Sequence, residues 1–556
     1  MTRREALGTL AAVTAASPVA ADVPAIDAAL IQHHDQTVER YLAQQNTDPA
    51  SPGCGNFPNQ FGLYYTGTAS GIIDAFTSAL LLPASKFHNS GVVLERTRLA
   101  IRYLLAAQNA EGNVELVETN FNSPPDTGFV TQVVAATAKN ARTYGAPEIF
   151  TLLDPFLRKA AAALERGGVH TPNHRWVMSA AMAQLHELFP NAGLIRRIDQ
   201  WLAEGIDIDA DGQFTERSAL VYNPITDRAL VLLALKLNRP ELLAPVRHNL
   251  DAMLYLLHPG YEVVSEFSRR QDLNQRGSMA GYWFPLAHLA RIDQNGRYAT
   301  LANHFASQAA SISDLLAFPE LAQPGPAELP IPDDYEQRFD SVGVTRIRRG
   351  LTSATLLDQR SRAFTLRRGA AVIQAVRFAS AFFGKAQFIP GVWRKNGAGY
   401  SASQSLEGPY FQPFDPPRKI GTEEWEATRP LRKQSEVCRL TQSATVTETL
   451  SGFRVRVRSH GTNGVPVAVE INLREGGTLE GCSPAPQIAG QPLIDSWILD
   501  RGQATYRLGG NAIRFGPGVA PHRYTQIRGA EPKLPGPSVY ITGFTPFDHT
   551  IDFDWS

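Results

Sequence analysis

The chain has 556 residues, 43% of them apolar and 19% charged, with 53 basic residues against 53 acidic and a formal net charge of zero. That composition excludes a disordered chain, and the lack of basic excess argues against a nucleic-acid binder. The length predicts two or three domains rather than one core, and three cysteines (Cys54, Cys438, Cys482) are too few for a disulfide scaffold.

Met1-Thr2-Arg3-Arg4 precedes an apolar, Ala-rich run from Ala6 to Val19, then Ala20 and Ala21. This reads as a bacterial secretory leader over residues 1–21 with a twin-arginine look, and predicts export to the periplasm or beyond. The run is too short to span a bilayer. Its removal takes Arg3 and Arg4 from 53 bases and Glu5 from 53 acids, leaving 51 against 52. Neutrality favours a partner of sparse charge, although a local basic cleft is compatible with it.

Residues 22–316 are predicted to be helical. Segments 68–83, 92–109, 127–144, 147–166, 173–190, 192–204, 223–237, 240–257, 277–291 and 297–316 each repeat apolar residues at about 3.6 positions. Hairpin succession of that many helices fits an (α/α) toroid. The turns at 106–113 and 207–214 echo each other as polar, Gly-containing segments after a helix. Asn56–Tyr65 and 119–127 are polar loops with aromatics. In the second, Asp126 or Thr127 is a candidate helix N-cap, while Asn120 and Asn122 are candidate ligands for sugar hydroxyls.

The most informative stretch runs from Val169 to Asn223. Pro172 suits the first turn of a helix, which puts Asn173 and His174 at a helix start, where the N-terminal field favours a carboxylate. Asp211-Gly212 makes a turn, Glu216-Arg217-Ser218 follows, and Tyr222 comes just before Pro224 and the next helix. Farther on, Arg269-Arg270-Gln271-Asp272 is a second polar island. Its adjacent arginines suit bidentate pairing with a carboxylate, the alternative being a salt-bridged surface loop.

An Asn-His pair followed by Asp-Gly-x-x-x-Glu-Arg-Ser and a nearby Tyr resembles the heparinase II/III-like superfamily of polysaccharide lyases. The match rests on Asn173, His174, Glu216, Arg217, Ser218 and Tyr222; elsewhere only the architecture agrees. The resemblance implies a toroid followed by an antiparallel β-domain, and β-elimination at C4 of a uronate within an acidic polysaccharide. It implies that Tyr222 shuttles the proton, that Asn173 and His174 hold the carboxylate, and that Glu216 and Arg217 support them. The chemistry calls for such groups, since proton loss beside a carboxylate requires stabilisation of the developing enediolate. Several relatives use a further histidine. His258 and His288 are both available, and nothing in the sequence chooses between them.

Residues 317–340, with five prolines, read as a linker. From 341 onward apolar and polar residues alternate, as in Phe453-Arg-Val-Arg-Val-Arg, which predicts a β-sandwich of a dozen or more antiparallel strands over 341–556. Tyr400 and Tyr410 lie in aromatic, basic loops and are candidates to reach the substrate; ordinary strand-end packing is the alternative. Cys438 and Cys482 either pair or lie as free thiols. No cluster has metal-ligand spacing, and no cofactor is predicted.

Two other functions fit. A glycoside hydrolase would use paired carboxylates, for which Asp126, Asp211 and Glu216 are available. A glycan-binding protein without turnover would tolerate loss of Tyr222.

Overall fold

The structure is a computed structural model describing residues 21–487 and 495–555. Except for Ala21, the expected leader lies outside the described residues. Among those described, no helix is long and apolar enough to cross a membrane. The architecture is the expected one: helix hairpins in the N-terminal region, then an antiparallel β-sandwich.

The chain divides into two compact units that interleave in sequence. The first takes Met1–Asp207, Pro224–Arg247 and Ala280–Pro330; the second takes Ile208–Asn223, His248–Met279 and Ile331–Ser556.

In the first unit, helices alternate between two environments. Thr66–Leu81, Pro124–Thr143 and Pro172–Leu188 pack in series and are buried on most sides. Gly91–Ala107, Pro147–Arg166 and Ala192–Ala203 each bury one stripe against them, as Ile149, Leu153, Phe156, Ala160 and Leu164 do in the second. All-round apolar sequence places a helix inside and amphipathic sequence places it outside, which is the two-layer logic of a toroid. Among the buried polar groups inside, Thr137 donates to Asp74 (2.6 Å) and Asp314 receives both arms of Arg228 (2.7 and 2.8 Å).

Several local expectations need correction. Helix Ala28–Gln44, capped by Asp27, precedes the first predicted segment; it buries only Ile31, Asp35 and Val38, too few apolar positions to show a period. The predicted 277–291 helix begins only at Trp283, after a 3₁₀ turn. The predicted 297–316 helix is two, because Ser311 accepts from the Asp314 N–H and starts a new one. The 119–127 loop contains a strand, Asn120–Ser123, paired with Val114–Leu116. Its helix cap is Ser123, neither Asp126 nor Thr127. Strand Asp334–Phe339 lies inside the expected linker; it is a largely exposed edge strand with one partner, so no apolar alternation marks it.

In the second unit, an eight-stranded and a nine-stranded sheet face each other across one core, to which Phe364, Ile373 and Val469 contribute from one side and Val455, Phe515 and Phe553 from the other. Among the described residues, pairing is antiparallel apart from Ser496–Ile498 beside Ser538–Phe544. The three cysteines are unpaired, and burial pushes the Cys482 thiol up to about 12.

Strand Val344–Arg349 is buried on both faces, because segment 248–279 covers its outer side. Arg346 and Arg348 both donate to the Leu257 carbonyl (3.1 and 3.2 Å), and the Tyr335 hydroxyl donates to the Tyr255 carbonyl (2.7 Å). Glu262 receives Arg367 (2.8 Å) and both arms of Arg474 (2.7 and 3.1 Å). Glu266 lies 3.4 Å from His258, whose other ring nitrogen meets Ser353 at 2.8 Å. Segment 248–279 is thus fastened to the sheet by buried charge.

These ionisations give the units different acid responses. In the second unit, burial and the neighbouring Arg367 and Arg346 lower His258 to about 3. Burial works against Glu262, yet Arg367 and Arg474 hold it down at about 2. A lowered histidine stabilises fully above its unfolded value of about 6.5 and loses that contribution as pH falls towards 3. A lowered glutamate does so below about 4.5. Both therefore destabilise the second unit on acidification. In the first unit, burial lowers His288 to about 3 but raises Asp74 to about 6 and Asp227 well above the carboxylate range, so proton uptake and release oppose each other. Between pH 7 and 4, hydrogen exchange should show 331–556 losing protection before 28–205. His258→Gln should flatten that dependence by about 1.4 kcal/mol per pH unit over the titration window. Loss of the helical region first would contradict this assignment.

Candidate active site

The Asp-Gly turn predicted at 211–212 forms because Asp209 accepts from the N–H groups of Asp211 and Gln213 (both 2.9 Å). Gly212 has φ +73°, and a Cβ there would lie 2.4 Å from the His248 carbonyl oxygen, so glycine is required. Asn249 donates to the Gly212 carbonyl (2.6 Å), and Asn223 to the Gln213 side chain (2.9 Å). Beyond the turn, Arg217 adopts φ +47°, a strained conformation for a residue with a side chain.

Tyr222 is then held at the first residue of helix Tyr222–Leu237 by buried side chains. The Ser218 hydroxyl accepts the Tyr222 N–H (3.2 Å) and donates to Asp272 (2.9 Å). Asp272 also accepts from the Leu220 N–H (3.0 Å) and the Ser268 hydroxyl (2.9 Å). The 268–272 turn that supplies Asp272 also supplies Arg270 and Gln271. The Arg270 guanidinium lies over the Tyr222 ring, 4.9 Å from its centroid, with one nitrogen 3.5 Å from the phenolic oxygen. Gln271 Nε2 donates to that oxygen at 3.2 Å. Arg270 also faces the buried Glu216 at 3.6 Å. The phenolic oxygen thus has a cation and an amide donor beside it.

Arg269 is exposed and binds back through its N–H to the Arg217 carbonyl (2.8 Å). Burial and then the nearby Arg269 guanidinium lower the Arg217 value; Asp209, 3.7 Å away, only partly compensates. Arg360, on the turn after strand Thr352–Leu357, joins this group, its value lowered by burial and by Arg269. Sequence reasoning missed Arg360, because a single arginine in an ordinary turn carries no signal.

In the first unit, Pro172 opens helix Pro172–Leu188 as expected. Asn173 and His174 are 2% and 8% exposed, so they point into the protein. Asn173 donates to the Thr171 hydroxyl (3.2 Å). The His174 ring packs edge-on against His170 (4.7 Å) and Phe129 (6.1 Å), which fixes its plane. Arg175 anchors the helix start through Asp207 (2.8 Å) and Glu204 (3.1 Å).

Other candidates are engaged structurally. The Asn122 amide oxygen accepts from Asn109 and Asn113 and its nitrogen donates to Glu111, fastening the hairpin to the 108–113 turn. Asn120 donates to Asp126 (3.0 Å), which also receives Ser123. Asp211 accepts the Ser341 N–H (2.5 Å). Tyr400 donates to Glu336, which also binds Lys395, and burial with that bond raises the phenol. Tyr410 is 57% exposed. Neither candidate histidine is poised to carry charge: His258 is sealed between Ser353 and Glu266, and His288 packs edge-on to Phe284 and Phe318. A cavity of about 800 Å³ lies over the outer face of the nine-stranded sheet, but its buried Arg377 and Glu470 pair with each other at 2.5 Å and none of the predicted residues lines it.

No family model matches the chain, and no curated protein matches it. Solved structures do share its fold. The chondroitin AC lyase of Streptomyces coelicolor A3, in complex with chondroitin sulphate, has a TM-score of 0.52 at 14% identity over 95% of this chain and 79% of that one. A Paenibacillus xanthan lyase has a TM-score of 0.56 at 10% identity over 95% of this chain and 57% of that one. A chondroitinase AC lyase studied with oligosaccharides has a TM-score of 0.50 at 9% identity over 95% and 79%. At these identities the likeness establishes a common fold, helical region and β-region together.

Proposed function

We propose that the protein is a polysaccharide lyase of the heparinase II/III-like type, exported, and acting on an acidic polysaccharide by β-elimination at C4 of a uronate. The observation that carries this is the Tyr222 hydroxyl beneath Arg270 and beside Gln271, on a fold shared with lyases whose polymers are chondroitin and xanthan. Tyr222, as phenolate, takes the C5 proton and returns one to the departing O4; Arg270 and Gln271 hold the phenolate. Asn173 and His174 take the uronate carboxylate and its developing charge, as the sequence pattern implies. Arg217 and Arg269 supply positive potential towards the polymer, and Glu216 orients Arg270.

Paired-carboxylate hydrolysis has less support, since the Asp126 carboxylate accepts from Asn120 and the Ser123 hydroxyl and Asp211 accepts a backbone N–H. The experiment is a screen of uronate polymers, among them chondroitin sulphate, alginate, xanthan and gellan-type chains, read by ultraviolet absorbance. A lyase creates a conjugated C=C bond and the absorbance rises as chains are cut. Reducing ends appearing without absorbance would assign a hydrolase; neither signal with any polymer would leave only binding.

A further inference from the structure

Between strands Gly399–Phe411 and Gln434–Thr449 the chain leaves the eight-stranded sheet for residues 412–433. Its short turns, Thr422–Glu424, Trp425–Thr428 and Arg429–Leu431, bury nothing. The excursion is ordered by stacking instead. Arg418 and Arg432 lie on the Phe414 ring at 4.1 and 4.3 Å, Arg432 also faces Trp425 at 4.5 Å, and Arg429 lies over Phe411 at 5.8 Å.

Stacking occupies the face of a guanidinium and leaves its in-plane N–H groups for an oxyanion. Among the described residues, Arg418 has no ion pair or hydrogen bond to an acid, and Arg432 gives one N–H to the Gln412 carbonyl (3.2 Å) and pairs with no acid. Two of the four acids in the segment are committed: Glu426 pairs with Arg429 (2.8 Å) and Glu424 accepts the Gly421 N–H (2.9 Å). Asp415 and Glu423 remain. Two exposed aromatic side chains belong to the same stretch of chain. Trp425 is 45% exposed, and Tyr410, backed edge-on by Phe383 at 5.6 Å, is 57% exposed. Open aromatic faces accept the C–H faces of sugar rings, and guanidinium edges accept carboxylates in pairs.

We propose that residues 410–433 form a second binding surface for acidic polysaccharide, sharing no residue with the Tyr222 cluster: Trp425 and Tyr410 take sugar rings, and Arg418 and Arg432 take the carboxylates between them. It rests on the acidic-polysaccharide reading above, but binding is measurable without turnover. The test is affinity electrophoresis of the full chain in native gels containing alginate, chondroitin sulphate or neutral dextran, for wild type, Trp425→Ala and the pair Arg418→Gln/Arg432→Gln. The expected result is retardation by an acidic polymer and not by dextran, weakened about tenfold in both variants. Turnover of a uronate tetrasaccharide should stay unchanged while kcat/KM on the polymer falls. Because Arg432 stacks on Trp425, the thermal melt of each variant is measured beside its binding: weakened retardation with a wild-type melt is loss of binding groups, not of folding. Equal retardation of wild type and variants overturns the proposal. So does equal retardation by dextran, and so does self-association that the variants abolish, which would make this a contact between copies. Failure of the lyase reading is separate, since it shows as no absorbing product with any polymer.

Discussion

Tyr222→Phe should lower turnover on the natural polymer by at least about a hundredfold, the usual scale of general acid–base catalysis. The ring remains, so its packing beneath Arg270 at 4.9 Å and the Ser218 bond to its N–H remain too. Only the proton carrier goes. Affinity should barely change, because the lost interaction belongs to the transition state. His174→Ala should differ, damaging turnover and weakening ground-state binding together, since a carboxylate ligand acts in both states. An activated aryl glycoside of the uronate separates the roles. If Tyr222 is both base and acid, a good leaving group does not rescue Tyr222→Phe. Rescue of Tyr222→Phe but not of His174→Ala would make His174 the base. Full activity in Tyr222→Phe would end the mechanism.

Arg367→Ala should destabilise the second unit by about 3–5 kcal/mol, the usual result of leaving one side of a buried pair uncompensated. Arg367 is 7% exposed and lies 2.8 Å from Glu262 and 4.0 Å from Glu266. Arg474 still covers Glu262, so the larger burden falls on Glu266, which keeps the neutral His258 at 3.4 Å and the more distant charge of Arg346. Because the segment so anchored carries Arg270 and Gln271, kcat/KM should fall along with the urea midpoint. Replacing Arg367 and Glu266 together by leucine should recover much of the stability, since a removed pair strands no charge. A change of less than about 1 kcal/mol in Arg367→Ala would show that the charge network is not the anchor.

The fold was legible because its signals are local. A period of 3.6 residues to about 310 and alternation from about 341 are properties of consecutive residues, and the (α/α) and β-sandwich regions follow from them. Failures fell where local signal is weak. The edge strand Asp334–Phe339 hides among prolines because an exposed strand needs no apolar alternation. The hairpin at 114–123 hides in polar residues that bond to one another.

Around the site the sequence itself determined the start of helix Pro172–Leu188 at Pro172, the glycine turn at 212 and the arrival of Tyr222 at a helix start, since each depends on the conformational limits of one or two residues. Only the tertiary structure decided that 208–223 and 248–279 belong with the β-region. Asp272 reaches back more than fifty positions to Ser218, Arg270 and Gln271 nearly fifty to Tyr222, and Arg474 farther still to Glu262. It also singled out Arg360, and it gave Asn122 and Tyr400 hydrogen-bond partners that their own stretches of sequence do not announce. The physical reason is that a buried polar group is satisfied by whichever partner the folded chain brings within about 3 Å, and that partner leaves no mark on the residues beside it in sequence.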